Sequence, residues 1–106
     1  MDVKKTGTHT VLVLDGDLTS DDMILAFKAK MQELIDGDHI HIVLDFVNVH
    51  ILNSSGIGKV LLFYKKLKEK NGSMSFVHLS PSIEDLFDKL MFLNLFKIYR
   101  SYDEIK

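Results

Sequence analysis

Two consecutive serines, followed by two glycines, are the residues of this sequence whose types and spacing best suit chemistry. Ser54, Ser55, Gly56 and Gly58 come after a strand-like run and a loop, and they open an apolar segment with helical periodicity. The first N–H groups of a helix have no partners within the helix and lie at the positive end of its dipole. An anion, including a phosphate on a serine, is therefore favoured there. The glycines remove side chains beside the serines, so that another backbone could approach closely.

A purely structural interpretation of this segment is also open. Serine is a preferred N-cap residue, so Ser54 could simply cap the helix while Gly56 and Gly58 ease packing. From the chemistry of these residues alone, the structural interpretation is favoured.

Other candidate sites have less support. His39 and His41 would share one face of a strand, and such a pair can bind metal, but the chain has no cysteine and no obviously convergent carboxylate. We therefore expect exposed histidines and no metal site. Ser54 does not lie in a Gly-x-Ser-x-Gly motif, so an α/β-hydrolase nucleophile is not expected. The run 56–58 lacks the third glycine of a dinucleotide fingerprint, and we expect no cofactor.

Alternating strand and helix patterns predict the elements that position these residues. They follow the order β-β-α-β-α-β-α-β, with a further helical turn expected after Ser101. This order predicts parallel strands joined by right-handed crossovers. Because polar and apolar residues alternate in several strands, helices should cover mainly one face of the sheet. The expected fold is α/β, with a mixed, mostly parallel sheet. The predicted strands are 3–5, 9–14, 40–46, 74–79 and 96–99. The first helix should start after a cap at Thr19 or Ser20, the second should open at Ser54 or Ser55, and the third should start at Pro81 after a cap at Ser80.

Each of the last two helices should bury one apolar stripe. For the second helix the expected stripe is Ile57, Val60, Leu61, Tyr64 and Leu67, with Phe63 at its edge; for the third it is Ile83, Leu86, Phe87 and Leu90. Leu62 falls outside the stripe, on the face shared with Gly58. An exposed leucine just after the helix start predicts a small apolar anchor for a partner.

Length and composition limit the classes of function. A chain of 106 residues with 46% hydrophobic and 26% charged residues fits one folded domain over residues 1–106. The 13 basic and 15 acidic residues give a net charge of -2, which argues against nucleic-acid binding and against attraction to anionic membranes. No signal peptide is expected, and the longest apolar stretch, 60–64, is too short for membrane insertion. The absence of cysteine fits a reducing cytoplasm.

The serine segment and its surroundings resemble the signature of the STAS domain family, in particular the single-domain anti-sigma-factor antagonists of bacteria. In that family, a strand ending near Asp-Leu and a loop precede Asp-Ser-Ser/Thr-Gly-Leu-Gly and an apolar helix. Asp45 and the run Asn-Ser-Ser-Gly-Ile-Gly at 53–58 match this pattern at the right separation. Residues 15–18 resemble the turn before the family's first helix, and residues 79–82 resemble the turn before its third. The resemblance thus covers essentially the whole chain.

The resemblance implies a non-enzymatic regulator that switches partners. The unphosphorylated protein would bind an anti-sigma factor that is also a serine kinase and would thereby free the sigma factor. Phosphorylation of Ser54, with Ser55 as the less favoured neighbour, would abolish this binding, and a PP2C-type phosphatase would restore it. We expect a monomer or a weak dimer. The partner-binding residues would be Asn53, Ser54, Ser55, Gly56, Ile57, Gly58 and Leu62.

One residue departs from the family pattern and leaves alternatives open. Asn53 stands where the family usually has Asp, and the missing charge would slow or prevent phosphorylation if a carboxylate assists it. The alternative function is a STAS subunit that regulates a transporter or a stress-signalling complex without phosphorylation. A small hydrolase that uses Ser54 would need a general base, and His50 is the only histidine nearby in sequence.

Overall fold

The structure is a computed structural model that describes residues 1–105. Within these residues, strands and helices alternate in the predicted order, and a short 3-10 turn after the third helix adds to it. The strands are β1 (Asp2–Thr6), β2 (His9–Val13), β3 (His41–Asp45), β4 (Ser73–Val77) and β5 (Lys97–Tyr99). The helices are α1 (Asp21–Asp36), α2 (Ser54–Glu69) and α3 (Pro81–Lys89), and the 3-10 turns are Phe92–Asn94 and Tyr102–Glu104.

The strands form one sheet in the order β1-β2-β3-β4-β5. β1 pairs with β2 in an antiparallel manner, and the other three pairs are parallel, which confirms the predicted mixed, mostly parallel sheet. Because β2, β3 and β4 run in the same direction, the loops that lead to α1, α2 and α3 all leave the sheet at the carboxyl ends of these strands. This end of the sheet carries the serine segment.

The larger hydrophobic core lies between the sheet and the helices. Leu44 and Phe76 of the central strands are fully buried in it. Phe27 of α1 and Phe63 of α2 meet edge to face in the same cluster, with ring centroids 5.9 Å apart. The opposite face of the sheet carries a smaller cluster to which no residue of the three α-helices contributes, so the prediction of helices mainly on one face is confirmed. The smaller cluster consists of Val11, Val43, Val77 and Ile105.

Two predicted stripes are wrong at single positions. Phe63, placed at the edge of the α2 stripe, is fully buried, whereas Leu61 is 37% exposed. α2 turns its buried arc toward Phe63 because that ring packs against Phe27 of the neighbouring α1. On α3, Leu90 is 39% exposed because the helix ends at Lys89 and Met91, the residue after Leu90, turns the chain with a left-handed φ of 63°.

Candidate functional site at the start of helix α2

The loop between β3 and α2 is held by the loop that precedes α1. One oxygen of the Asp17 carboxylate accepts hydrogen bonds from the backbone N–H groups of His50, at 2.6 Å, and Ile51, at 3.0 Å. Leu18 and Leu52 form an isolated parallel bridge between the same two loops. These contacts place the start of α2 beside the start of α1, although the two segments are more than thirty positions apart in sequence.

Asn53 is the residue that caps α2. Its side-chain oxygen accepts a hydrogen bond from the N–H of Gly56 at 2.9 Å, and its amide nitrogen donates to the carbonyl of Thr19 at 3.0 Å. The expectation that Ser54 caps the helix is wrong, because Ser54 is already its first helical residue. An aspartate could accept the first bond, but it could not donate the second.

Ser54 and Ser55 are exposed in the first turn of α2. Within residues 1–105, neither hydroxyl takes part in a hydrogen bond. The first turn contains no acidic side chain, whereas Lys66 and Lys68 occupy the last turn. The positive end of the helix dipole is therefore not neutralised by side chains of α2, and an anion on either hydroxyl would be stabilised.

The two glycines have different surroundings. A Cβ atom on Gly56 would lie 2.7 Å from the carbonyl oxygen of Leu18, so the backbone that approaches this glycine closely belongs to the chain itself. Gly56 is buried beneath the surface of the site. A Cβ atom on Gly58 would meet nothing within 4 Å, and this glycine lies open on the surface.

Apolar side chains lie exposed around the serines. Leu62 is 38% exposed, which confirms its predicted place outside the buried stripe, whereas Ile57 is half-buried against the core. Ile51 is 59% exposed in the preceding loop, and no sequence pattern predicts its exposure because an isolated apolar loop residue follows no periodicity. His50 is exposed, and within the described residues its ring makes no hydrogen bond to Ser54. The contact that would favour a serine hydrolase is thus not made.

Comparison with known proteins identifies the family. The STAS domain family model matches residues 1–105. The chain belongs to the STAS domain family. It is also similar to the anti-sigma F factor antagonist of Paenibacillus polymyxa, with 33% identity over an alignment of 96 residues that covers 88% of this chain and 77% of that relative.

Solved structures of the same fold are more distant in sequence. An anti-sigma factor antagonist from Mycobacterium paratuberculosis has a TM-score of 0.80 and 19% identity, covering 96% of this chain and 86% of that one. The Bacillus cell fate determinant SpoIIAA in its phosphorylated form has a TM-score of 0.75 and 20% identity, covering 98% of this chain and 95% of that one. These likenesses show that the chain shares the fold of both proteins.

Asp45, which matches the strand end of the STAS pattern, is a buried anchor in this domain. Only 2% of its surface is exposed. One carboxylate oxygen accepts a hydrogen bond from the N–H of Val47 at 3.0 Å and lies 2.9 Å from Nδ1 of His78, and the other accepts a hydrogen bond from the hydroxyl of Tyr102. Burial, followed by the bond to Asp45, raises the pKa of Tyr102 to about 12. No contiguous sequence pattern predicts this cluster, because its members come from three distant segments.

The two histidines considered for a metal site are separated in the STAS domain. His39 precedes β3 and lies 3.1 Å from the hydroxyl of Thr10, whereas His41 lies 2.9 Å from the hydroxyl of Ser73. The expectation that they share one strand face is therefore wrong, because only His41 belongs to the strand. Among residues 1–105, no three His, Cys, Asp or Glu side chains group together as metal ligands would. The described helices are all too short or too polar to cross a membrane.

Proposed function

We propose that this STAS domain is an anti-sigma factor antagonist whose binding is switched by phosphorylation of Ser54. In the unphosphorylated state it binds an anti-sigma factor that is also a serine kinase, and it acts without enzymatic activity of its own. Phosphorylation of Ser54 ends this binding, and a PP2C-type phosphatase restores it. The observation that carries the proposal is the exposed Ser54 hydroxyl, free of hydrogen bonds within the described chain, at the positive end of α2.

The similar proteins support both parts of the proposal. The relative from Paenibacillus polymyxa is an anti-sigma F factor antagonist at 33% identity. SpoIIAA, which shares the fold, has been solved in a phosphorylated form. In this chain Ser54, which matches the serine of the family pattern, is exposed.

The position of Ser54 explains how a phosphate would act as a switch rather than unfold the domain. Phosphorylation adds about 1.5 to 2 negative charges near pH 7. At the start of α2 the unpaired N–H groups and the helix dipole stabilise that charge locally. The domain thus stays folded, and binding is lost because the new charge and bulk lie in the partner interface.

The proposed interface is a face of α2 together with its leading loop. Ser55, Gly58 and Leu62 follow one another at helical spacing and are all exposed. Ser54 lies at the start of this face, and Ile51 extends its apolar surface into the loop. Asn53 and Gly56 contribute by holding the helix start, through the cap and through the close approach of Leu18, rather than by touching the partner.

The test uses two substitutions of one residue. A pull-down from the native cell lysate should recover a kinase-fold partner with the wild-type domain and with Ser54→Ala, but not with Ser54→Asp. Incubation with that partner and ATP, followed by mass spectrometry, should place the phosphate on Ser54. Equal recovery with the Ala and Asp variants, or phosphate on Ser55 alone, would contradict the proposal. Unchanged thermal midpoints serve as the folding control.

A second candidate function is favoured by the chemistry of Asn53. Its side chain donates to Thr19, which an aspartate cannot do, so this site differs chemically from the family pattern beside the serine. The domain would then regulate another assembly, such as a transporter or a stress-signalling complex, without phosphorylation. Recovery of a partner whose binding is unaffected by Ser54→Asp would select this function.

A further inference from the structure

A groove of about 430 Å³ runs along β5 and is separate from the serine face. Glu84 of α3 and Leu93 of the first 3-10 turn line one wall, residues 96–100 line the strand side, and residues 78–79, which follow β4, complete the lining. Leu79, Leu93 and Ile98 supply apolar surface to a lining that is polar and apolar in nearly equal parts, and Lys97 and Arg100 lie at the strand side.

β5 leaves one edge of its backbone without a neighbouring strand. It is the last strand of the sheet and pairs only with β4 among the described residues. In residues 1–105, the backbone groups of Lys97–Tyr99 form no backbone hydrogen bonds outside the sheet ladder. Because alternate backbone groups of a strand point to opposite sides, part of the β5 backbone is available to pair with a further strand.

We propose that this groove is a docking site for an extended segment of a partner protein, which adds to β5 as a sixth strand and alternates apolar with acidic residues. Successive side chains of such a strand point to opposite faces of the sheet. On the helix side they enter the groove, where Ile98 packs against the main core. On the other side they lie beside Lys97, which shares the face of Tyr99. Backbone pairing supplies affinity, and the alternate side chains supply selectivity.

The charges around the groove select the acidic segment over a second copy of this chain. Lys97 and Arg100 are both exposed on the strand side, so an approaching carboxylate meets two cations there, with the Glu104 carboxylate, which accepts a hydrogen bond from the backbone N–H of Arg100, as the acidic neighbour. Glu84 is the one carboxylate of the lining and lies on the α3 wall, where it disfavours acidic side chains inside the groove itself. Two copies that paired through β5 would bring their cationic edges together, which is unfavourable.

The test uses a fluorescent, end-blocked peptide of about six residues that alternates glutamate with isoleucine, a typical strand length. Fluorescence anisotropy with the full chain should show saturable binding. A matched peptide with lysine in place of glutamate, and one methylated at alternate backbone nitrogens, should each bind about tenfold or more weakly, because one loses charge complementarity and the other loses strand pairing. Equal binding of all three peptides would overturn the proposal.

Protein variants locate the binding. Leu93→Asp places a charge in the groove and should weaken binding about tenfold, while Arg100→Glu should weaken it by reversing a charge. The matched control is Leu25→Asp, an exposed leucine of α1 outside the groove, which should bind like the wild type. If Leu93→Asp lowers the thermal midpoint, Arg100→Glu still decides, because that residue is exposed.

Two further outcomes distinguish the β5 groove from the serine face and from a dimer interface. Ser54→Asp should bind the peptide like the wild type, so a failure of the phosphorylation switch would leave this site unaffected. A dimer in sedimentation equilibrium that is lost in both Leu93→Asp and Arg100→Glu would show that a second copy occupies β5, and it would overturn the proposal.

Discussion

At the residue scale, Asn53 connects two loops and a helix through one side chain. Its oxygen caps α2 by accepting from Gly56, and its nitrogen holds the carbonyl of Thr19 before α1. An aspartate would gain a favourable interaction with the helix dipole and lose the bond to Thr19. Each effect is worth about 1 kcal/mol, so the two nearly cancel.

We therefore predict that Asn53→Asp changes the free energy of unfolding by less than about 1 kcal/mol and speeds the phosphorylation of Ser54, because it restores the carboxylate of the family pattern. Phosphorylation time courses with the partner kinase measure the rate. Asn53→Ala is the control, since it removes the cap and should destabilise the domain by about 1 kcal/mol. Identical time courses for Asn and Asp would mean that the carboxylate has no part in phosphoryl transfer.

For alanine substitutions of the two glycines in the signature, we predict changes of opposite sign in the free energy of unfolding. Gly56→Ala should lower the free energy of unfolding by about 1–3 kcal/mol, because its methyl group would lie 2.7 Å from the Leu18 carbonyl oxygen. Gly58→Ala should raise it by about 0.5–1 kcal/mol, because the site is open and alanine is the better helix former. Urea unfolding of both variants checks this, and destabilisation by Gly58→Ala would show a contact that the glycine avoids.

At the scale of the element, one face of α2 is buried and stabilises the domain, and the other face is exposed and is the proposed binding surface. Leu67 is fully buried, whereas Leu62 is 38% exposed. Leu67→Ala should destabilise the domain by about 2–5 kcal/mol. Leu62→Ala should leave the thermal midpoint nearly unchanged and weaken partner binding by about 1–2 kcal/mol, as expected of an apolar anchor in an interface.

Thermal unfolding and affinity measurements on the same two variants decide whether Leu62 packs within the domain or lies in the interface. A large loss of stability in Leu62→Ala would show that this leucine packs within the domain. Unchanged stability together with unchanged affinity would remove it from the interface.

The starts of α1, α2 and α3 show how far sequence can predict an element. Ser20 and Ser80 cap α1 and α3 as expected, because a cap bonds to an N–H only three residues away. At α2 the residue types favour Ser54 as the cap, one position after the observed cap, Asn53. Asn53 is selected by its second bond, to Thr19, which depends on the neighbouring loop.

At the scale of the whole molecule, Tyr102 holds the end of the described chain against the face of the sheet that the helices leave uncovered. Its hydroxyl donates to the buried carboxylate of Asp45, and the 3-10 turn that carries it leads to Ile105, which packs on Val11 and Val43. Burial and this bond raise the pKa of Tyr102 to about 12.

The raised pKa predicts how stability depends on pH. An unfolded tyrosine has a pKa of about 10, so the bond contributes fully below pH 10 and is lost as the pH rises from about 10 to about 12. We predict that the wild type loses stability across this range and that Tyr102→Phe, less stable at neutral pH, loses less. Urea unfolding of both proteins as a function of pH checks this. Equal losses would mean that different groups, such as lysines, cause the alkaline effect.

By itself, the sequence determined the order of the elements, the mostly parallel sheet and the run 53–58 as the place to look for function. Each of these depends on local periodicity, on short-range capping and turn preferences, or on a contiguous motif. The tertiary structure decided which faces and atoms meet. It buried Phe63 in place of Leu61, put the Leu18 backbone against Gly56, and brought Asp45 to Tyr102 across 57 positions of sequence. Such contacts depend on how separate elements pack against one another, and a periodicity within one element carries no information about its neighbours.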